Sequence, residues 1–292
     1  MAGKVTGIVA LGLSIGMTAP TFADDIIDAF LAGTAKACTA CDLTGRDLKA
    51  REFKRMKLDR VILKNADLTE AALFRSTLQR ADLSGAKLVD ADLNRIDAKW
   101  ADFRDADLSG ALLFEADLSS ANLAGAKLMN ARLGQARLNQ ANLERALLAG
   151  ADLRGARLAG AKFGGANLRS AKLDGQKLRD MDLRGVDFTL SDMVEVDLYG
   201  ADLRGASLAG VDLYGANLHG ADLRGATFEG ANLKNAILTD AQTDGANFDA
   251  AIMPDGKRQE DGAHQAEATH REEGGNVQTG GSHQAADGTH QK

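Results

Sequence analysis

Cys38 and Cys41 stand three residues apart, a spacing that allows a local disulfide or a redox-active dithiol. Four of the five histidines, His264, His270, His283 and His290, gather near the C-terminus, where a weak metal site could form. The 41 acidic residues offer abundant carboxylate for acid–base work. Eighteen of them recur in one fixed phase between residues 42 and 222, which is the mark of a solvated wall rather than of a catalytic pair. There is no HExxH, no nucleophile elbow and no glycine-rich phosphate loop between a strand and a helix. No catalytic residue, cofactor site or metal site is assigned, and an enzyme is not expected.

Composition narrows the classes further. The 292 residues are 45% hydrophobic but only 4% aromatic, so the apolar content is chiefly Ala and Leu. A net charge of −6 excludes a basic nucleic-acid-binding domain, and no apolar run reaches the ~20 residues of a membrane span. Two Cys exclude a disulfide-rich scaffold. At the amino end, Lys4 precedes an apolar stretch from Val5 to Met17 and a small-residue segment ending at Ala23. This is the pattern of a secretory leader over 1–23, with export to the periplasm, or to the thylakoid lumen in a cyanobacterium.

The elements that position everything else come from a five-residue repeat. Every fifth residue from Leu43 to Met253 holds one register: of 43 positions, 33 are Leu, 6 Phe and 2 Met, and only Ala98 and Thr243 depart. Two residues earlier stands Ala at 30 of the 43, and between them Asp or Asn at 23. A helix fails, because a five-residue step turns Leu through roughly 140° each time. A plain strand fails too, since an odd period alternates faces. Three extended residues followed by a two-residue corner fit the pattern, with Ala and Leu inward and Asp or Asn outward. Asp182, Asp202 and Asp222 recur every 20 residues, as do Arg184, Arg204 and Arg224, which suggests four units per coil. At Ile96 and Ala98 the large and small inward residues exchange places and conserve volume. The two prolines, Pro20 and Pro254, stand outside the array.

This A(D/N)Lxx pattern resembles the pentapeptide-repeat family over 41–253. The resemblance implies an all-β fold, a right-handed quadrilateral β-helix with four pentapeptides per coil. At a strand spacing of ~4.8 Å the rod would be roughly 50 Å long. It also implies that two copies can associate end to end as a homodimer. Some members bind DNA gyrase by resembling acidic DNA.

Solenoid ends need covers. Residues 24–37 place Ile26, Ile27, Phe30 and Leu31 at helical spacing and read as a capping helix, followed through 40 by the cysteine junction. A disulfide between Cys38 and Cys41 is the favoured reading there; a redox pair and free thiols are the alternatives. Arg46 and Arg51 stand in inward slots, so the first coil is expected to be open or irregular. Residues 254–292 are poor in large apolar side chains and read as a disordered tail.

Surface residues supply the functional candidates. Segment 126–180 carries eleven basic and four acidic residues, a charge of +7, whereas 181–250 carries −8. Arg137, Arg157 and Lys177 replace Asp or Asn and stack on one face if coils hold 20 residues, which points to an acidic partner. Phe74, Phe114 and Tyr214 fall in another 20-residue column, with Leu112 beside Phe114 and Trp100 on the adjacent face, which points to protein contact. The leading function is a non-catalytic, exported rod serving as an interaction scaffold or spacer in the cell envelope. Its expected partner is a protein, with an anionic envelope component at the basic belt. Inhibition of a DNA-binding enzyme such as gyrase by mimicry is the alternative, and metal binding by the histidine tail a weaker one.

Overall fold

The computed structural model describes residues 22–260. Residue n pairs with residue n + 20 through parallel bridges from Ala37–Lys57 to Asn232–Ile252, so each coil takes four pentapeptides. The four faces are centred, in chain order, on Leu43, Leu48, Phe53 and Leu58 and on the residues every 20 beyond them. The inward Ala and Leu are buried along the array, apart from the half-buried Leu238 and Ala241 of the last coil, and the exchanged pair Ile96 and Ala98 is buried with them.

Three hydrogen-bond systems account for the unit. Inter-coil ladders use the N–H groups before, at and two after each central residue, as in Asp82 to Val61, Leu83 to Asp102 and Gly85 to Arg104. A turn uses the next one, as in Ala86 N–H to Leu83 O at 3.0 Å. The residue before it is left-handed: every fifth residue from Ala40 to Ala250 has a positive φ, the mark of a type II turn. One N–H per unit remains, directly after the central residue, and the outward Asp or Asn accepts it. Thr44 donates to Asp42 at 2.9 Å, Ser84 to Asp82 at 2.9 Å and Arg104 to Asp102 at 3.0 Å. The outward column is therefore a row of backbone acceptors as well as a solvated wall.

The amino end is closed by α1 (Phe22–Leu31). Phe30 is buried and stacks on Phe53 with ring centroids 5.3 Å apart. The helix is shorter than 24–37, because Gly33 takes a φ of +76° and ends it. It begins at Phe22, ahead of the Ala23 boundary expected for a leader; residues 1–21 lie outside the described residues. Cys38 and Cys41 are joined by a disulfide, with Cα atoms 5.4 Å apart and both side chains buried. Of the expectation of an open or irregular first coil, the irregularity is corrected and the openness stands. Its ladder is regular, and Arg46 and Arg51 are exposed at the open end, where Arg51 donates to Leu31 O at 2.6 Å and satisfies the helix terminus.

At the other end, the expected tail boundary at 254 is also corrected. Residues 254–259 fold back on the last coil: Ile252 and Arg258 form an antiparallel bridge, and Gln259 N–H donates to Ala251 O at 2.8 Å. Residues 261–292, with the four tail histidines, lie outside the described residues.

One interruption breaks the array. Seven consecutive inter-coil hydrogen bonds are missing, those that the N–H groups of Gly155, Lys177, Leu158, Gly160, Asp182, Phe163 and Gly165 would donate. The gap runs along the fourth face and round the corner onto the first. Above and below it the ladder is complete. Gln176 and Met181, both inward and buried, stand here where Ala is the usual occupant. Their added length is what holds the coils apart.

Candidate functional site

The filled interior leaves the outer wall as the place where chemistry can be offered. On the third face, Phe74, Leu112 and Phe114 line an open groove of about 460 Å³ with Asn94, Arg95 and Arg132. Asn94 occupies the coil between the two phenylalanines and accepts the Phe114 N–H at 2.9 Å, which fixes the backbone beneath the ring. Gly134 in the next coil has no side chain, and the Phe114 ring lies over it, 3.5 Å from where a Cβ would stand. Phe114 is 43% exposed, and Arg75 stacks on Phe74 at 5.1 Å. The groove thus offers two aromatic surfaces ringed by guanidinium groups, a composition typical of protein contact.

The other aromatic candidates are not part of it. Tyr214 shares the column but lies five coils from Phe114, where its hydroxyl accepts from Asn235 at 2.9 Å. Trp100 is half-exposed on the far corner of the fourth face, with Arg80 stacked on it at 5.4 Å. Column arithmetic places residues on a face, but not at one height. Leu147 and Leu190 were not singled out above, yet Leu190 is the most exposed large apolar side chain among the described residues, at 60%.

The basic belt is only partly a stack. Arg137 and Arg157 are bridged neighbours, but Arg157 and Lys177 are not, because the ladder gap opens between them. Arg137 approaches Asp117 at 3.6 Å, whereas among the described residues no carboxylate lies within salt-bridge distance of Arg157, Lys162 or Lys177. These substitutions also remove the acceptor that an outward Asp supplies. The N–H groups of Asn139, Ala159, Gly164 and Arg179 accordingly have no acceptor among the described residues. Each lost cap costs on the order of 1 kcal/mol.

The acidic segment is organised differently. On the first face, Asp182, Asp202 and Asp222 each hold the Arg two residues on at 2.6 Å, and Arg184 and Arg204 reach the next coil's carboxylate at 3.6 and 3.5 Å. The guanidinium hydrogen bond holds each of these carboxyls below the ordinary carboxylate range. Asp174 behaves oppositely: burial, together with the carboxyl of Asp192, pushes it up to about 6, and its Oδ1 is buried without a hydrogen-bond partner. Among the described residues there is no cluster of three or more metal-ligating side chains and no helix long and apolar enough to cross a membrane.

Comparison with known proteins agrees with this architecture. The family model described as pentapeptide repeats matches in eight copies, spanning residues 76–230. HetL, a pentapeptide repeat protein involved in heterocyst differentiation regulation from the cyanobacterium Nostoc sp. strain PCC 7120, is 31% identical. The alignment covers 80% of this chain and 98% of HetL, with a TM-score of 0.29. QnrB1, a plasmid-mediated fluoroquinolone resistance protein, is 20% identical over 79% of this chain and 98% of its own, with a TM-score of 0.28. A pentapeptide repeat protein from the thylakoid lumen of Arabidopsis thaliana is 23% identical over 50% and 70%, with a TM-score of 0.17. No curated protein matches. The chain belongs to the pentapeptide-repeat family, whose members form right-handed quadrilateral β-helices.

Proposed function

We propose that this protein is a non-catalytic, exported rod that serves as an interaction scaffold or spacer in the cell envelope. On this reading the Phe74–Phe114 groove binds protein and the basic belt binds an anionic envelope component. The observation that carries the proposal is the belt itself. At Arg137, Arg157, Lys162 and Lys177 the chain gives up a backbone acceptor and sets cations in its place, three of them without a carboxylate within salt-bridge distance. A change that weakens the fold locally and leaves charge unneutralised is supported by binding rather than by stability. The local test is Arg157→Asn with Lys177→Asn, which restores the acceptors. The variant should be slightly more stable and should leave an anionic-polymer column at lower salt; unchanged elution overturns the belt's role. Export is tested by fusing residues 1–23 to a reporter that is active only outside the cytoplasm.

DNA mimicry remains the second reading, supported by the acidic band over 181–250. Interleaved Arg184, Arg204 and Arg224 work against it by neutralising the first-face carboxylates. Inhibition of gyrase supercoiling by micromolar protein would reverse the order of the two readings. Metal binding by the tail histidines is a weaker proposal, tested by zinc calorimetry on the full chain and on a form ending at residue 260.

A further inference from the structure

The seven missing rungs leave two facing lengths of backbone with complementary needs. The upper length, 155–165, presents the N–H groups of Gly155, Leu158, Gly160, Phe163 and Gly165 and the carbonyls of Ala156 and Ala161. The lower length, 174–184, presents the carbonyls of Asp174, Lys177, Arg179, Asp182 and Arg184 and the N–H groups of Lys177 and Asp182. An open groove of about 670 Å³ follows the same seam round the corner, lined by Lys162, Met181 and Arg184 and also by the carboxylates of Glu144, Asp180 and Asp182, so the excess of positive charge lies on the fourth face, at Arg157 and Lys177. On the fourth face, from Gly155 to Gly160 above and from Asp174 to Arg179 below, the donors and acceptors of the two edges are matched in spacing by a short extended backbone.

Two features say what that backbone carries. The upper edge carries Gly155, Gly160 and Gly165 at its corners and Gly164 beside the last, all exposed, with the Gln135 and Gln140 amides of the preceding coil lying over Gly155 and Gly160. Flanking the gap on the fourth face are Arg157 above and Lys177 below, with Lys162 round the corner, all exposed and, among the described residues, none within salt-bridge distance of a carboxylate. We infer that the seam between coils 155–165 and 174–184 is a strand-acceptor site for an extended acidic segment of a partner protein, which lies along the fourth face with an outward carboxylate between Arg157 and Lys177. Seating a strand against both edges needs ~4.8 Å on each side, so binding widens the seam. The missing rungs make this the place where widening is easiest, because elsewhere each ladder bond would have to be broken first.

The inference rests on the interaction-rod reading, since its ligand is a protein, but it uses different faces from the Phe74–Phe114 groove. The test is amide hydrogen exchange on the full chain, with and without a synthetic octapeptide of alternating Val and Glu; an alternating Val and Lys octapeptide is the control. The acidic peptide should slow exchange at Leu158 and Gly160 by tenfold or more, and the basic one should not. In Gln176→Ala/Met181→Ala, which restores the usual slot residues, those amides should be at least tenfold slower without peptide, and binding should fall at least tenfold. Arg157→Glu/Lys177→Glu, which leaves the slots untouched, should transfer the preference to the basic peptide. Unchanged exchange at the seam, equal binding by the Ala variant or an unchanged preference in the Glu variant overturns the site. If the site fails while a Phe114→Ala variant still loses partner contact in the cell, the rod reading survives without it; loss of neither removes both.

Discussion

Ser76 and Gln176 occupy the same inward slot of the fourth face, five coils apart, and the coils around them differ in one respect. Ser76 Oγ donates to Phe53 O and accepts the Met56 N–H at 3.2 Å, and every rung about it is intact, including Leu58 to Thr77 at 2.8 Å. The Gln176 amide donates to Leu153 O, the equivalent carbonyl, and the ladder opens. Both polar groups are satisfied, so burial of polarity does not separate them. Length does. A hydroxymethyl reaches the carbonyl within the normal spacing of coils, whereas the longer carboxamide needs more room and takes it from the ladder. The solenoid tolerates a polar slot residue when its side chain fits the spacing that the backbone already has.

The largest expected effects compare the same residue on either side of the seam. Leu138 and Leu158 are consecutive central residues of the fourth face, both buried, but only Leu158 lies on the opened edge. Leu138→Ala should cost ~2–5 kcal/mol, because its neighbours are locked by complete ladders and the cavity stays open. Leu158→Ala should cost distinctly less, because the lower coil can move in. Urea midpoints for the two variants measure this directly, and equal losses would mean that the seam is as stiff as the rest. The next test carries the difference across. Ser76→Gln should open the closed coil at a cost of ~1–3 kcal/mol, with faster amide exchange at Leu58 and Arg60. If exchange there does not change, the length argument fails.

How much of this was legible beforehand follows from the same contrast. The five-residue register sets the side of each residue, so the buried column, the 20-residue pairing and the compensation at Ile96 and Ala98 were readable from order alone. Gln176 was visible as an amide in an alanine slot. Its consequence was not, because Ser76 breaks the same rule harmlessly and only side-chain reach against coil spacing separates them. The aromatic column was half-readable: Phe74 and Phe114 share a groove because Asn94 and Gly134 leave it room, while Tyr214 sits at another height. Arg46 and Arg51 looked like faults in the core, but the first coil has an open side where long side chains can leave. The acceptor role of the outward Asp needed the hydrogen-bond count, since a pattern of Asp and Asn reads equally as solubility.

A smaller effect concerns the corners, which differ between the halves of the rod. From 40 to 145, 18 of the 22 left-handed corners carry a side chain; from 150 to 250, 14 of 21 are Gly. Gly205 has a φ of +64° and open space where a Cβ would go, so Gly205→Ala should lose ~1 kcal/mol from backbone strain alone. Ala50, at +52°, is the reverse case, and Ala50→Gly should be neutral or slightly stabilising. Thermal midpoints shifting in the same direction for both would mean that something other than the turn conformation governs these positions.

The smallest effect is a pH dependence at the edge of the seam. Asp174 stands where Phe74 stands in the closed coil, and its carboxyl, raised to about 6 by burial and by Asp192, prefers the proton in the folded state. The unfolded chain ionises it near the ordinary aspartate value of 3.8, so its charge works against folding above pH 6. That penalty is relieved as pH falls from about 6 toward 4. Asp182, Asp202 and Asp222 run the other way: their arginine-held ionised forms stabilise the fold above the ordinary carboxylate range, and that contribution is lost only at lower pH. The urea midpoint of the native chain should therefore rise slightly from pH 8 to pH 5 and fall below pH 4. In Asp174→Asn the rise should vanish, with a gain at pH 8 and little difference at pH 4.5. A rise that survives the substitution would move its source away from Asp174.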